Sequence, residues 1–169
     1  MKNHFELFGL SPAYALDLEH LDRAYRDIQA RVHPDRFAHA GDAERRASMQ
    51  MTTQVNGAYR VLKSPVQRAS YLLQLNGVDT GFETSTAMSP EFLMEQMELR
   101  EKLAAARDTT TLDLILKDLV TATKALEMRV AECIDAKRDY AGAKELARKL
   151  MFFDKFGDEI DAAYESLEA

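Results

Sequence analysis

His33, Pro34 and Asp35 place an imidazole and a carboxylate two residues apart with a proline between them. An imidazole beside a carboxylate is the raw material of acid–base catalysis. Here it stands without the rest of an active site: the chain has no nucleophile elbow, no phosphate-binding glycine loop and no metal-ligand cluster. The proline also limits how the two side chains can face each other. A hydrolase built on His33 and Asp35 therefore has no nucleophile to activate. Contact chemistry suits the tripeptide better. A fixed loop loses little entropy on docking, and Asp35 can pair with an arginine of another protein. The plainer alternative is an ordinary helix terminus, with His33 and Asp35 satisfying nearby backbone groups. The residues alone leave both readings open.

A second group with chemical potential lies near residue 95. At about 100° per residue, Phe92, Leu99 and Leu103 fall on one stripe of a helix, while Leu93, Met94 and Met97 fall on another, together with Glu98 and Glu101. A helix in a small bundle needs only one apolar stripe. The second is expected to be exposed, and exposed apolar patches mark interaction surfaces. Methionine suits an adaptable binding face. Phe152 is expected to join that face, because it sits one residue off the seam that carries Phe153. The alternative is that the second stripe packs against the other half of the chain.

The elements that must position these groups are helices. The chain has 169 residues with only 7 glycines and 4 prolines, and helix formers dominate, so the fold class is all-α. Phe5 to Leu10 makes a short turn. Asp17 caps a helix carrying Leu18, Leu21, Tyr25, Ile28 and Val32, which His33-Pro34 ends. A third helix spans Ala43 to Lys63, with Met49, Thr53, Asn56, Tyr59 and Leu62 on its inner stripe. Ser64-Pro65 stops it, and a fourth helix runs from Val66 to Leu75, closed by Asn76-Gly77. Val78 to Met88 lacks periodicity and reads as a linker. The boundaries are thus 1–77, a linker 78–88, and 89–169.

In the second part, Ser89-Pro90 opens a helix to about Arg107. Leu112, Leu116, Leu119, Thr123, Leu126, Val130 and Cys133 form a heptad seam. Leu146, Leu150, Phe153, Ile160, Tyr164 and Leu167 form another, giving an antiparallel three-helix bundle. A purely structural coiled-coil role fits these seams but leaves the tripeptide at 33–35 unexplained.

Composition excludes several classes. The 28 acidic residues against 22 basic give a net charge of −6, which argues against nucleic-acid binding. No run reaches the roughly 20 apolar residues of a membrane span. The N-terminus shows neither a signal peptide nor transit-peptide character. Cys133 is a lone cysteine on a helical seam, expected to be buried and structural. His4, His20 and His39 share no ligand spacing. The expectation is a cytoplasmic protein with no catalytic residues, metal or cofactor.

The chain resembles a J domain in its helix–HPD–helix layout, joined with Asn56-Gly57-Ala58-Tyr59, Leu62 and Pro65. The flanking Leu7-Phe8-Gly9-Leu10, His33-Pro34-Asp35-Arg36-Phe37 and Arg68-Ala69-Ser70-Tyr71-Leu72-Leu73 are similar to the iron–sulfur co-chaperone family HscB. So is Phe92-Leu93-Met94-Glu95-Gln96-Met97-Glu98-Leu99-Arg100-Glu101. The resemblance covers both halves. It implies a J domain that binds a specialised Hsp70 (HscA type) and stimulates its ATPase through His33, Pro34, Asp35, Arg23, Arg26 and Arg36. It further implies a C-terminal bundle that binds an iron–sulfur scaffold protein (IscU type) through Leu93, Met94, Met97, Glu98, Glu101 and Phe152. A J-domain co-chaperone for a different client is the alternative. Two departures stand out. Asp22 and Asp27 interrupt the basic strip of Arg23, Arg26, Arg31 and Arg36, where general J domains carry positive charge. Ala104-Ala105 stands where the family often has another acid.

Overall fold

The computed structural model describes residues 1–81 and 88–169. These divide into two compact units, Met1–Leu72 and Leu73–Ala169. Six of the residues read above as a linker, 82–87, lie outside the described residues. Among the described residues there is no strand.

The first unit begins with α1 (His4–Leu7). Asn3 and Glu6 close a reciprocal capping box, which holds so short a helix at its N-terminus. The α2 helix (Leu18–Val32) starts at Asp17, whose carboxylate accepts the His20 N–H at 3.0 Å. A 3₁₀ turn at Pro34–Phe37 follows, then α3 (Asp42–Lys63) and α4 (Pro65–Leu75). Packed α2 and α3 form a hairpin with the turn at its tip. Phe5, Phe8, Leu21, Val55, Ala58, Leu62, Ala69 and Leu72 are buried. Buried Arg68 is held by carbonyls, its Nε donating to Tyr14 at 2.8 Å and its Nη1 to Leu62 at 2.6 Å. Leu21, with no exposed surface, is the apolar anchor of α2. Leu21→Ala is expected to destabilise the first unit by about 2–5 kcal/mol, the usual cost of a core leucine, read by chemical denaturation.

The inner stripe of α3 differs from the expected one. Met49 is exposed, and the buried residues are Ser48, Val55, Ala58 and Leu62. The seam therefore runs Ser48, Thr52, Val55, Tyr59, Leu62, one residue out of phase with Met49 and Thr53. Apolarity misled the reading, because the position beside the end of α2 needs a hydroxyl rather than a thioether.

The second unit contains α5 (Pro90–Ala105), α6 (Thr109–Ala131) and α7 (Tyr140–Glu168), each packed on the other two as an antiparallel three-helix bundle. Ser89 caps α5, Asp108 caps α6 and Asp139 caps α7, each accepting a backbone N–H. The α5 helix stops two residues short of Arg107: Ala106 is extended, and the Arg107 guanidinium takes the Ala104 carbonyl at 2.6 Å.

The α6 seam is as read through Val130 and then shifts. Residues Glu132–Ala136 form a π-helical turn, with the Lys137 N–H bonded to the Glu132 carbonyl at 2.9 Å. A π turn admits one extra residue. The core position therefore passes from Cys133, which is half-buried, to Ile134, which is buried. In α7, Leu150, Phe153 and Ile160 are core as expected. Ala143, Ala147 and Phe156 take positions the seam did not name, and Leu146 is only half-buried. No helix among the described residues is long and apolar enough to cross a membrane.

Candidate functional site

At the tip of the hairpin, Pro34 creates a deficit. In a continuing α-helix the carbonyls of Ala30, Arg31 and Val32 would accept the N–H groups of residues 34, 35 and 36. Proline has no N–H to give, and the residue before it is pushed to an extended conformation; His33 has φ −55° and ψ 132°. The Asp35 N–H turns instead to His33 Nδ1 at 3.2 Å, and the Arg36 N–H to the His33 carbonyl at 3.0 Å. Two of the abandoned carbonyls, those of Ala30 and Val32, find side chains. Arg36 Nη1 donates to Ala30 at 3.2 Å. Ser48 Oγ donates to Val32 at 2.6 Å, and Thr52 Oγ1 lies 3.2 Å from the same oxygen and 2.9 Å from the Ser48 carbonyl.

The outcome is a turn with its polar groups presented outward. The Asp35 side chain is 93 % exposed and lies 3.6 Å from His33 Nδ1. An Nδ1 that accepts leaves Nε2 as the donor of the ring. The ring satisfies a backbone group, as the plainer alternative supposed, while the carboxylate faces solvent, as a contact residue must. Arg23, Arg26 and Arg36 are exposed, and Arg36 is at the same time the substitute partner of Ala30.

Asp22 does not interrupt a partner-facing strip. It turns toward α3, where Lys63 Nζ donates to its two oxygens at 2.8 and 2.9 Å and Tyr59 Oη donates at 2.9 Å. Tyr59 stacks on Tyr25 with centroids 3.9 Å apart, and Tyr25 Oη donates to Asn56 Oδ1 at 2.8 Å. These contacts fix the spacing of the two helices. The Lys63 and Tyr59 hydrogen bonds, in that order, hold the Asp22 carboxyl below its ordinary value of 3.8. A depressed carboxylate pKa contributes stability above the unfolded-state value and loses it as pH falls through the folded-state value. Wild type is therefore expected to lose more melting temperature than Asp22→Asn on acidification from just above pH 3.8 downward, measured by circular dichroism on both proteins. Asp27 is exposed, so this second departure from a basic strip stands on the surface.

In the second unit, α5 shows two faces. Gln96 is buried, and Phe92, Leu99 and Leu103 are half-buried toward the bundle. On the other face Leu93 is 45 %, Met94 62 % and Met97 62 % exposed, flanked by exposed Glu98 and Glu101. This is a contiguous apolar surface with an acidic edge.

Phe152 departs from expectation. It is buried, 7 % exposed, packed edge-on to Phe92 at 5.7 Å and against Phe156 at 5.9 Å. The Arg100 guanidinium lies over its ring at 5.3 Å and is held by Glu159 Oε1 at 3.3 Å. Bulk explains the difference: a ring one residue off the seam still reaches the gap between α5 and α7. Phe152 supports the α5 face from beneath. Sequence reasoning missed Arg100, Ser48 and Thr52, whose parts depend on partners 59, 16 and 20 residues away. Among the described residues, no group of three or more His, Cys, Asp or Glu side chains is placed to hold a metal ion.

Known proteins share this arrangement. Residues 3–71 match the DnaJ domain, and residues 88–161 match the HSCB C-terminal oligomerisation domain. The chain is 49 % identical to the co-chaperone protein HscB homolog of Burkholderia vietnamiensis over 169 residues, covering 98 % of this chain and 96 % of that protein. The chain belongs to the HscB co-chaperone family. Solved HscB structures agree with the fold. Chaperone HscB from Vibrio cholerae superposes with a TM-score of 0.87 at 35 % identity, covering 98 % of this chain and 99 % of that one. Human co-chaperone protein HscB gives a TM-score of 0.92 at 30 % identity, covering 96 % of this chain and 82 % of that one. As a member of the HscB family the chain is a J-domain co-chaperone. The His33-Pro34-Asp35 turn falls in the DnaJ match, and the exposed face of α5 falls in the HSCB C-terminal match.

Proposed function

We propose that this co-chaperone carries an iron–sulfur scaffold protein (IscU type) to a specialised Hsp70 (HscA type) and stimulates the ATPase of that Hsp70, assisting the maturation of iron–sulfur proteins. The observation that carries the reading is the coexistence on one chain of an outward-facing HPD turn and an exposed apolar face on α5. Each surface alone fits many co-chaperones; together they describe an adaptor.

In this reading His33, Pro34 and Asp35 engage the Hsp70, with Arg23 and Arg26 alongside on α2. Arg36 contributes the donors not given to Ala30. Leu93, Met94 and Met97 make the apolar contact with the scaffold, Glu98 and Glu101 pair with its cations, and Phe152 acts by holding α5 in place. The adaptor does no covalent chemistry. It raises the effective concentration of scaffold at the Hsp70 and delivers the trigger for hydrolysis on the same chain.

The deciding experiment is the steady-state ATPase rate of the Hsp70 with this protein and the apo scaffold, added separately and together. More-than-additive stimulation is expected. Stimulation without synergy would leave the J-domain role and point to a different client; no stimulation would remove the reading.

A further inference from the structure

We propose that Ser48 and Thr52 of α3 are positioning residues for the His33-Pro34-Asp35 turn. The inference rests on the reading of that turn as the Hsp70 contact, and concerns two residues which that reading does not use.

The physical need is specific. Pro34 ends α2, and the Arg36 N–H that would have reached Val32 is taken by His33. The Val32 carbonyl is the last group of α2 before the turn, so its orientation sets the direction in which His33 leaves the helix. Ser48 is buried, and its hydroxyl donates to that oxygen at 2.6 Å across 16 residues. Thr52, one helical turn further along α3, places its hydroxyl 3.2 Å from the same oxygen. A hydroxyl has one hydrogen to donate, so Thr52 can serve either Val32 or the Ser48 carbonyl at one time, while Ser48 makes the shorter contact with Val32. Two hydroxyls on one carbonyl, at the point where a helix is broken by proline, tie the tip of the hairpin to α3 directly. Apolar residues at 48 and 52 would leave that carbonyl without a donor from α3.

When the Ser48 hydroxyl is lost, Thr52 still lies within reach of the Val32 carbonyl at 3.2 Å. Ser48→Ala is therefore expected to fold, with a melting temperature lower by about 4–8 °C. The effect falls on aim. The full chain is compared as wild type, Ser48→Ala, Thr52→Val, the double variant, and Ser48→Thr, which keeps the hydroxyl. The ¹⁵N order parameters of the Asp35 and Arg36 amides are expected to fall from about 0.85 toward about 0.6 in Ser48→Ala and to recover in Ser48→Thr. Maximal ATPase stimulation at saturating co-chaperone is expected to drop roughly threefold to tenfold, the range of one neutral hydrogen bond, with scaffold binding unchanged.

Unaltered order parameters in Ser48→Ala and in the double variant would overturn the proposal. So would loosened amides with full maximal stimulation. If Ser48→Ala fails to fold, Thr52→Val at its half-buried position decides by the same two readouts. A wild type that stimulates no ATPase would remove the Hsp70 reading, while the order parameters would still decide whether the hydroxyls hold the turn.

Discussion

His33→Gln is expected to abolish stimulation of the Hsp70 ATPase, with and without scaffold, while leaving scaffold binding intact. Glutamine has polar atoms but not the rigid ring whose Nδ1 accepts the Asp35 N–H at 3.2 Å. The substitution removes both a contact group and the element that orders the next residue. Asp35→Asn separates the two contributions. It preserves shape and removes the charge from a side chain that is 93 % exposed. A charge-assisted hydrogen bond is worth about 1.5–3 kcal/mol, so the concentration of co-chaperone needed for half-maximal stimulation should rise roughly tenfold or more. Asp35→Asn should not alter the melting temperature appreciably, because exposed substitutions cost within about 0.5 kcal/mol, and His33→Gln should cost no more than the loss of one cap, about 0.5–2 kcal/mol. Full stimulation by His33→Gln would show that the turn is not the point of contact.

Met97→Asp should have the second large effect, on scaffold binding. Met97 is 62 % exposed at the middle of the apolar strip formed with Leu93 and Met94. A carboxylate there would be desolvated without a partner when the scaffold docks. The expected loss is about 2 kcal/mol or more, roughly thirtyfold in affinity, measured by calorimetric titration with the folded variant. Phe152→Ala should behave oppositely. The ring is buried against Phe92 and Phe156, so its removal costs about 3–5 kcal/mol of stability and weakens scaffold binding only as far as α5 shifts. If Phe152→Ala proved fully stable yet unable to bind, Phe152 would have to be a direct contact. Unchanged binding by Met97→Asp would remove the α5 face from the scaffold interface.

The two predictions rest on parts of the chain that were legible to different degrees. Helix starts were written in local code. Asp17 and Ser89 each cap the helix that follows, because a cap is decided within three or four residues. The exposed stripe of α5 was also legible, since a helix with two apolar faces betrays one of them by period alone. The phase of α3 was not, because Ser48 is buried for the sake of a carbonyl on another helix. Phe152 was misplaced for a related reason: the gap it fills is defined by Phe92 on α5 and Phe156 on α7. Cys133 was misplaced because a π turn changes the count of residues per turn without a sequence signal that periodicity can register. In each case the decisive partner lay outside the window over which a pattern is read.

The contact between Asp22 and Lys63 has a bearing on how the protein approaches a charged surface. With Asp22 paired to α3 at 2.8 Å, its charge is cancelled close by, and the exposed Arg23 and Arg26 stand beside the exposed Asp27 alone on that part of α2. An acidic surface close to Arg23 and Arg26 would thus be attracted at short range and, at a net −6, repelled by the molecule as a whole at long range. Screening separates the two ranges. At about 0.01 M salt the Debye length of roughly 30 Å lets the whole charge act, and at about 0.15 M it contracts to roughly 8 Å, leaving only the arginine lobe in play. Encounter with an acidic partner is accordingly expected to be slowest in dilute buffer, to quicken as salt hides the distant charge, and to slow again once the arginines themselves are screened, a salt series that stopped-flow association would read. A protein whose total charge opposes its partner can in this way be tuned to meet it best at the ionic strength of a cell.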